Sequence, residues 1–163
     1  MRLAGIIKDS AVNGVGVRDV IFLQGCPHHC VGCQNPHTWS PYGGKVYGLL
    51  EIIHEVNSSN NITISGGEPF YDVDQLTALV GSLHIAYPDK TIWIYTGYYY
   101  TELDRRTLEI LAFNGVEVIV DGRFEEDKKD PKLRFRGSSN QRIIDLEKTL
   151  SSGEIVSWEE TKS

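Results

Sequence analysis

Arg18-Asp19-Val20-Ile21-Phe22-Leu23-Gln24-Gly25-Cys26 carries the chain from a β-branched, apolar run directly into a glycine and a cysteine. Val20-Ile21-Phe22-Leu23 does not alternate with polar residues, the pattern of a strand buried on both faces as in parallel sheets. Four further segments read as strands: 61–65, 91–95, 116–120 and 142–145. Ile92-Trp93-Ile94-Tyr95 and Val118-Ile119-Val120 are their clearest apolar runs.

Helical spacing fills the gaps. Val46, Leu49, Leu50, Ile53 and Val56 recur at helical intervals, as do Leu76, Leu79, Val80 and Leu83. Leu103, Leu108, Leu111 and Ala112 predict a third helix, with Thr101 as N-cap and Asn114-Gly115 as its stop. Strands alternating with helices predict an α/β fold with a mostly parallel sheet and right-handed crossovers. About five such units are too few to close an eight-stranded barrel of about 250 residues. The expected architecture is a single-domain, partial (open) β/α barrel over residues 1–147, followed by a polar tail over 148–163.

In parallel α/β sheets, ligands collect beyond the carboxyl ends of the strands. Each predicted strand here is followed by residues with chemistry: Gln24-Gly25-Cys26, Gly66-Gly67-Glu68-Pro69, Thr96-Gly97 and Asp121-Gly122-Arg123. One site on one face is the expectation.

Cys26-Pro27-His28-His29-Cys30-Val31-Gly32-Cys33 holds every cysteine of the chain. An odd number of thiols excludes a fully paired disulfide framework, and clustered thiols with no secretory signal point to a reducing cytoplasm and to metal. Pro27 and Gly32 favour a loop that gathers the three thiolates around one centre. Thiolates hold iron–sulfur clusters, usually four to a cubane, so three leave one iron open to a substrate. A structural zinc site of three cysteines with His28, His29 or His37 is the alternative, and spacing alone does not separate the two.

Sixteen Lys and Arg against 22 Asp and Glu give a formal net charge of −6, which argues against non-specific nucleic-acid binding. There is no apolar run of about 18 residues, so no membrane span is expected. The basic stretch Lys128–Arg136 reads as a solvated loop, with an anionic ligand or acidic partner as the alternative.

The Cys-x₃-Cys-x₂-Cys spacing resembles the cluster motif of the radical S-adenosylmethionine superfamily. Within it the chain is similar to the anaerobic ribonucleotide reductase activating proteins. The likeness runs from Gly14-Val15-Gly16-Val17-Arg18-Asp19-Val20 through Cys33-Gln34-Asn35-Pro36 and Ser65-Gly66-Gly67-Glu68-Pro69-Phe70. It ends in Phe135-Arg136-Gly137-Ser138-Ser139-Asn140-Gln141-Arg142-Ile143-Ile144-Asp145. Gly32 stands before the third cysteine, where the wider superfamily commonly has an aromatic residue.

The resemblance implies a radical S-adenosylmethionine partial barrel in which Cys26, Cys30 and Cys33 hold one 4Fe–4S cluster. S-adenosylmethionine would be cleaved there to a 5′-deoxyadenosyl radical. That radical would take hydrogen from a glycine of the large catalytic subunit of anaerobic ribonucleotide reductase. Implied cofactor contacts are Gly32, Cys33, Gln34 and Asn35 in the cluster loop, Gly66, Gly67, Glu68 and Pro69 at the methionine ammonium, and Thr96 and Asp121 at the carboxylate and ribose. The bland reading of the last two is strand-end capping. No catalytic acid or base is required. The implied electron donor is a flavodoxin or ferredoxin. Activation of another glycyl radical enzyme, such as a formate-lyase, is the alternative within enzymes, and a zinc-stabilised non-catalytic module the alternative outside them.

Overall fold

The computed structural model describes residues 1–56 and 59–160. Among these, seven strands form one sheet: β1 (Arg2–Ser10), β2 (Arg18–Leu23), β3 (Lys45–Val46), β4 (Asn61–Gly66), β5 (Ile92–Tyr95), β6 (Val116–Asp121) and β7 (Arg142–Asp145). Their order is β3-β1-β2-β4-β5-β6-β7. Four α-helices accompany them: α1 (Leu49–Glu55), α2 (Val73–Ala86), α3 (Arg105–Phe113) and α4 (Leu146–Ser152).

All five predicted strands are present, yet the sheet is mixed rather than mostly parallel. β2, β4, β5 and β6 run parallel, while β1 against β2, β3 against β1 and β7 against β6 are antiparallel. The reason lies in the connections. A parallel crossover needs a dozen or more residues, usually helical, and α1, α2 and α3 supply it between the central strands. The link from β6 to β7 holds a 3₁₀ turn at Glu126–Lys128 but no α-helix, so β7 returns antiparallel.

Two helical details also differ. Val46 belongs to β3, and α1 buries Ile52 while Leu50 is exposed. Thr101 lies in a 3₁₀ turn, and Asp104 caps α3 instead, its side chain accepting from Thr107 N. Asn114 ends α3 as predicted, with Gly115 at φ +90°.

Side chains alternate across the sheet with period two. Ile21, Ile62, Ile64, Ile92, Ile94 and Ile119 face one way and share a core with Ile52, Leu76, Leu108 and Leu146 from the four helices. All four helices therefore cover the same face. The opposite face carries a smaller cluster of Trp93, Val118 and Val120, packed by Val15, Phe135, Ile143 and Trp158. Buried Arg18 closes its lower end, donating to Thr63 Oγ1 at 2.9 Å and to the carbonyl of Ile62 at 2.8 Å.

Beyond α4 the chain turns back along β7: Asp145 N donates to the Val156 carbonyl, and Trp158 N to that of Ile143, both at 2.9 Å. Residues 161–163 of the polar tail lie outside the described residues. No helix among the described residues is long and apolar enough to cross a membrane.

Candidate functional site: a cysteine loop joined to the β4 turn

At the end of β2, Gly25 adopts φ +102° and redirects the chain into the cysteine loop. Gly25 N donates to the Thr38 carbonyl at 2.7 Å and Cys26 N to that of Trp39 at 3.1 Å, which closes the base of the loop. A turn brings Cys33 N to the Cys30 carbonyl at 3.1 Å, and Asn35 N donates to Cys33 Sγ at 3.4 Å. The three thiols are free and partly exposed. Burial pushes Cys26 and Cys30 above the ordinary thiol value, because a half-buried thiolate loses hydration.

The donor set fits an iron–sulfur cluster. Cys26, Cys30 and Cys33 line one cavity of about 120 Å³ together with Gly66, Gly67 and Thr96. Bound metal would supply the positive charge that the partly buried thiolates lack. Trp39 lines the same cavity, and its indole N–H is buried with no hydrogen-bond partner in the structure, a donor suited to a sulfur acceptor. Among the described residues no three His, Cys, Asp or Glu side chains gather around a single metal-ion position. A cubane makes no such demand, since each thiolate takes a separate iron.

Two of the three candidate histidines are engaged elsewhere. Both ring nitrogens of His28 have protein partners, and His29 stacks on Trp39 with ring centroids 4.5 Å apart.

Gly66-Gly67-Glu68 turns directly beneath the cysteine loop. Gly67 N donates to the Leu23 carbonyl and Glu68 N to the Gly25 carbonyl, each at 2.8 Å. Glu68 is buried, and its carboxylate is fully committed. Oε1 accepts from Phe70 N at 2.9 Å and Thr96 Oγ1 at 2.7 Å, while Oε2 accepts from Gly97 N at 2.8 Å and lies 2.7 Å from His28 Nε2.

A second cavity, of about 480 Å³, adjoins the first. Cys30, Cys33, Gln34 and Asn35 form one wall, with Phe135 and Gln141 among the residues that complete it. Phe22, Ser65 and Tyr95 also line it from the helix-free side of the sheet. The structure thus groups Cys26, Cys30, Cys33, Gly66, Gly67 and Thr96 around one cavity and Gln34 and Asn35 around its neighbour. Gly32, Glu68, Pro69 and Asp121 line neither; Glu68 and Pro69 line a separate cavity of about 150 Å³ beside Gln24 and Pro41. Gly32 takes φ +77° in the cysteine turn, and Pro69 begins the 3₁₀ turn 69–71. Asp121 is buried at the end of β6, accepting from Tyr100 N at 2.7 Å and Arg142 Nε at 3.0 Å.

His28, Gly97 and Arg123 join the site although none of them is among the predicted cofactor contacts. Gly97 and Arg123 carried one signal, their places directly after β5 and β6. His28 was weighed only as a ligand of the zinc alternative, and its place between two cysteines was the signal.

Fold and site together define a small α/β iron–sulfur protein, and residues 12–144 match the family model described as a 4Fe-4S single cluster domain. Curated relatives named anaerobic ribonucleoside-triphosphate reductase-activating protein include those of Salmonella typhi and Escherichia coli K12. They are 40% and 37% identical over 144 residues, covering 83% of this chain and 92% of each relative. The protein of that name from Enterobacteria phage T4 is 36% identical over 139 residues, 81% of this chain and 86% of the phage protein. The chain belongs to the family of anaerobic ribonucleoside-triphosphate reductase-activating proteins, within the 4Fe-4S single cluster domain. An iron–sulfur centre is thereby favoured over the zinc alternative.

Proposed function

We propose that this chain activates an anaerobic ribonucleotide reductase by reductive cleavage of S-adenosylmethionine. One observation carries the reading: in a member of this family, three free thiols and the Gly66-Gly67 turn line a single cavity at the carboxyl ends of parallel strands. A 4Fe–4S cluster held by Cys26, Cys30 and Cys33 would supply one electron to the sulfonium of bound S-adenosylmethionine, whose bond to the 5′-carbon would break to give methionine and a 5′-deoxyadenosyl radical able to take a hydrogen atom from a glycine Cα of the reductase.

The protein's own residues bind, orient and shield. Cys26, Cys30 and Cys33 are the proposed cluster ligands. Gly66 and Gly67, with no side chains, let the backbone approach the methionine end of the substrate. Glu68, a buried carboxylate beside that turn, favours the cationic ammonium and sulfonium electrostatically while its oxygens hold neighbouring loops. Cys33, Gln34 and Asn35, with Gly32 shaping their turn, are proposed to meet the substrate on the larger cavity. Thr96 and Asp121 are proposed to support the carboxylate and ribose ends, and Pro69 fixes the turn after Glu68.

The finer fold is proposed to be a radical S-adenosylmethionine partial barrel over residues 1–147, with 148–163 as its tail. Helices confined to one face support it, because barrels wind their helices on the outside only. The larger cavity then lies on the inner face, open to a glycine-bearing loop of the large reductase subunit. A flavodoxin- or ferredoxin-type electron donor and a cytoplasmic location complete the proposal.

The test is anaerobic reconstitution with iron and sulfide, reduction, and addition of S-adenosylmethionine, beside a variant with all three cysteines changed to Ala. Expected results are 5′-deoxyadenosine from the parent alone and a glycyl radical signal once the reductase subunit is added. A parent that binds iron yet yields no 5′-deoxyadenosine overturns the proposal.

A further inference from the structure

We propose that His28 is a positioning residue, holding the Glu68 carboxylate to the cysteine loop and so setting the place of S-adenosylmethionine's amino-acid end. The inference rests on the function proposed above.

His28 lies between Cys26 and Cys30, and its ring is one-twentieth exposed. Arg123 Nε sits 3.2 Å from His28 Nδ1. A guanidinium only donates, so Nδ1 accepts and the ring carries its proton on Nε2. That N–H points at Glu68 Oε2, 2.7 Å away. Tyr98 packs edge-on against the ring at 4.6 Å between centroids. Gly97 also stands against the ring, where a Cβ would come within 2.4 Å of it. Orientation and tautomer of His28 are both specified by its neighbours.

The consequence appears at Glu68. A carboxylate has about four lone-pair sites, and here four donors take them: Phe70 N, Thr96 Oγ1, Gly97 N and His28 Nε2. Three of these come from the β4 and β5 turns; His28 alone comes from the cysteine loop. Its bond therefore links the residues that hold the cluster to the turn that meets the substrate. With every acceptor site filled, Glu68 acts through charge and through the loops it ties, and the substrate's ammonium must take its hydrogen bonds elsewhere in the turn.

Two variants separate the ring's donor from its bulk. His28→Gln keeps an N–H donor at similar reach, whereas His28→Phe keeps the ring against Tyr98 and Gly97 without a donor. The reconstituted parent must first form 5′-deoxyadenosine; if it does not, the proposed function fails, whatever His28 does. Given an active parent, His28→Phe is expected to raise KM for S-adenosylmethionine about tenfold, the usual scale for such outer contacts, with iron content and kcat little changed. His28→Gln is expected to stay near the parent. A readout without cluster or substrate accompanies these: in the metal-free chain, amide exchange at Phe70 and Gly97 should quicken in His28→Phe and not in His28→Gln. Parent-like KM and exchange in His28→Phe, or equal losses in both variants, overturn the inference.

Discussion

Glu68 N donates to the Gly25 carbonyl at 2.8 Å, so the turn after β4 is bonded to the residue immediately ahead of the first cysteine. Gly67 sits inside that contact, and a Cβ on it would stand 2.2 Å from the Gly25 oxygen. Backbone atoms on both sides leave no flexible group to yield. Gly67→Ala is expected to force the two loops apart, costing about 1–3 kcal/mol as overpacking does and lowering iron uptake on reconstitution. Urea unfolding and iron analysis check this. Parent-like stability and iron content in the variant would show that the close approach is dispensable.

Asp121 joins the end of β6 to the start of β7 through Arg142, opposite it in the ladder. Its carboxylate is fully buried, while the Arg142 side chain is 40% exposed. Asp121→Ala strands the Tyr100 amide and removes the guanidinium's partner. The expected loss is about 2 kcal/mol, below the range for wholly buried pairs because water reaches Arg142. Denaturant midpoints at constant m-value measure it. A loss under about 0.5 kcal/mol, the scale of ordinary surface changes, would contradict this account.

Trp158 packs edge-on against Trp93, with ring centroids 5.1 Å apart, and Phe135 meets the same indole at 5.5 Å. Arg134 adds an exposed ion pair to Glu160 at 2.8 Å, a weak contact on its own. Trp158→Ala is expected to destabilise the fold by about 1–3 kcal/mol through lost aromatic burial and to reduce the near-ultraviolet circular dichroism. An unchanged unfolding midpoint would mean that the last residues do not brace the helix-free face.

What was legible in the sequence follows from how each element is buried. β2, β5 and β6 lie inside the sheet and carry apolar runs, whereas β4, equally interior, alternates Ile62 and Ile64 with Thr63 and Ser65 because its other face meets Arg18 and the larger cavity. β1 is different. Arg2-Leu3-Ala4-Gly5-Ile6-Ile7-Lys8-Asp9-Ser10 is half solvent-facing, with Lys8, Asp9 and a glycine breaking the pattern, and it is held by pairing with β2 rather than by its own composition. β3 has two residues, too few for any period to emerge, and the seven of α4 bury only Leu146 and Thr149, too little to mark a face. The direction of β7 was hidden for another reason, since a strand's residues do not encode which way it runs.

The sequence by itself determined the thiol-bearing loop, the central strands and the glycine turn after β4. In each case the information is local: eight residues hold all three cysteines, and short runs carry their own burial. Only the tertiary structure decided that Glu68 is saturated by donors, that His28 is one of them, and that Arg123 sets its tautomer. Those contacts join residues 40 and 95 positions apart. Strand order in the sheet brings them together, and no spacing along the chain records a distance that folding alone creates.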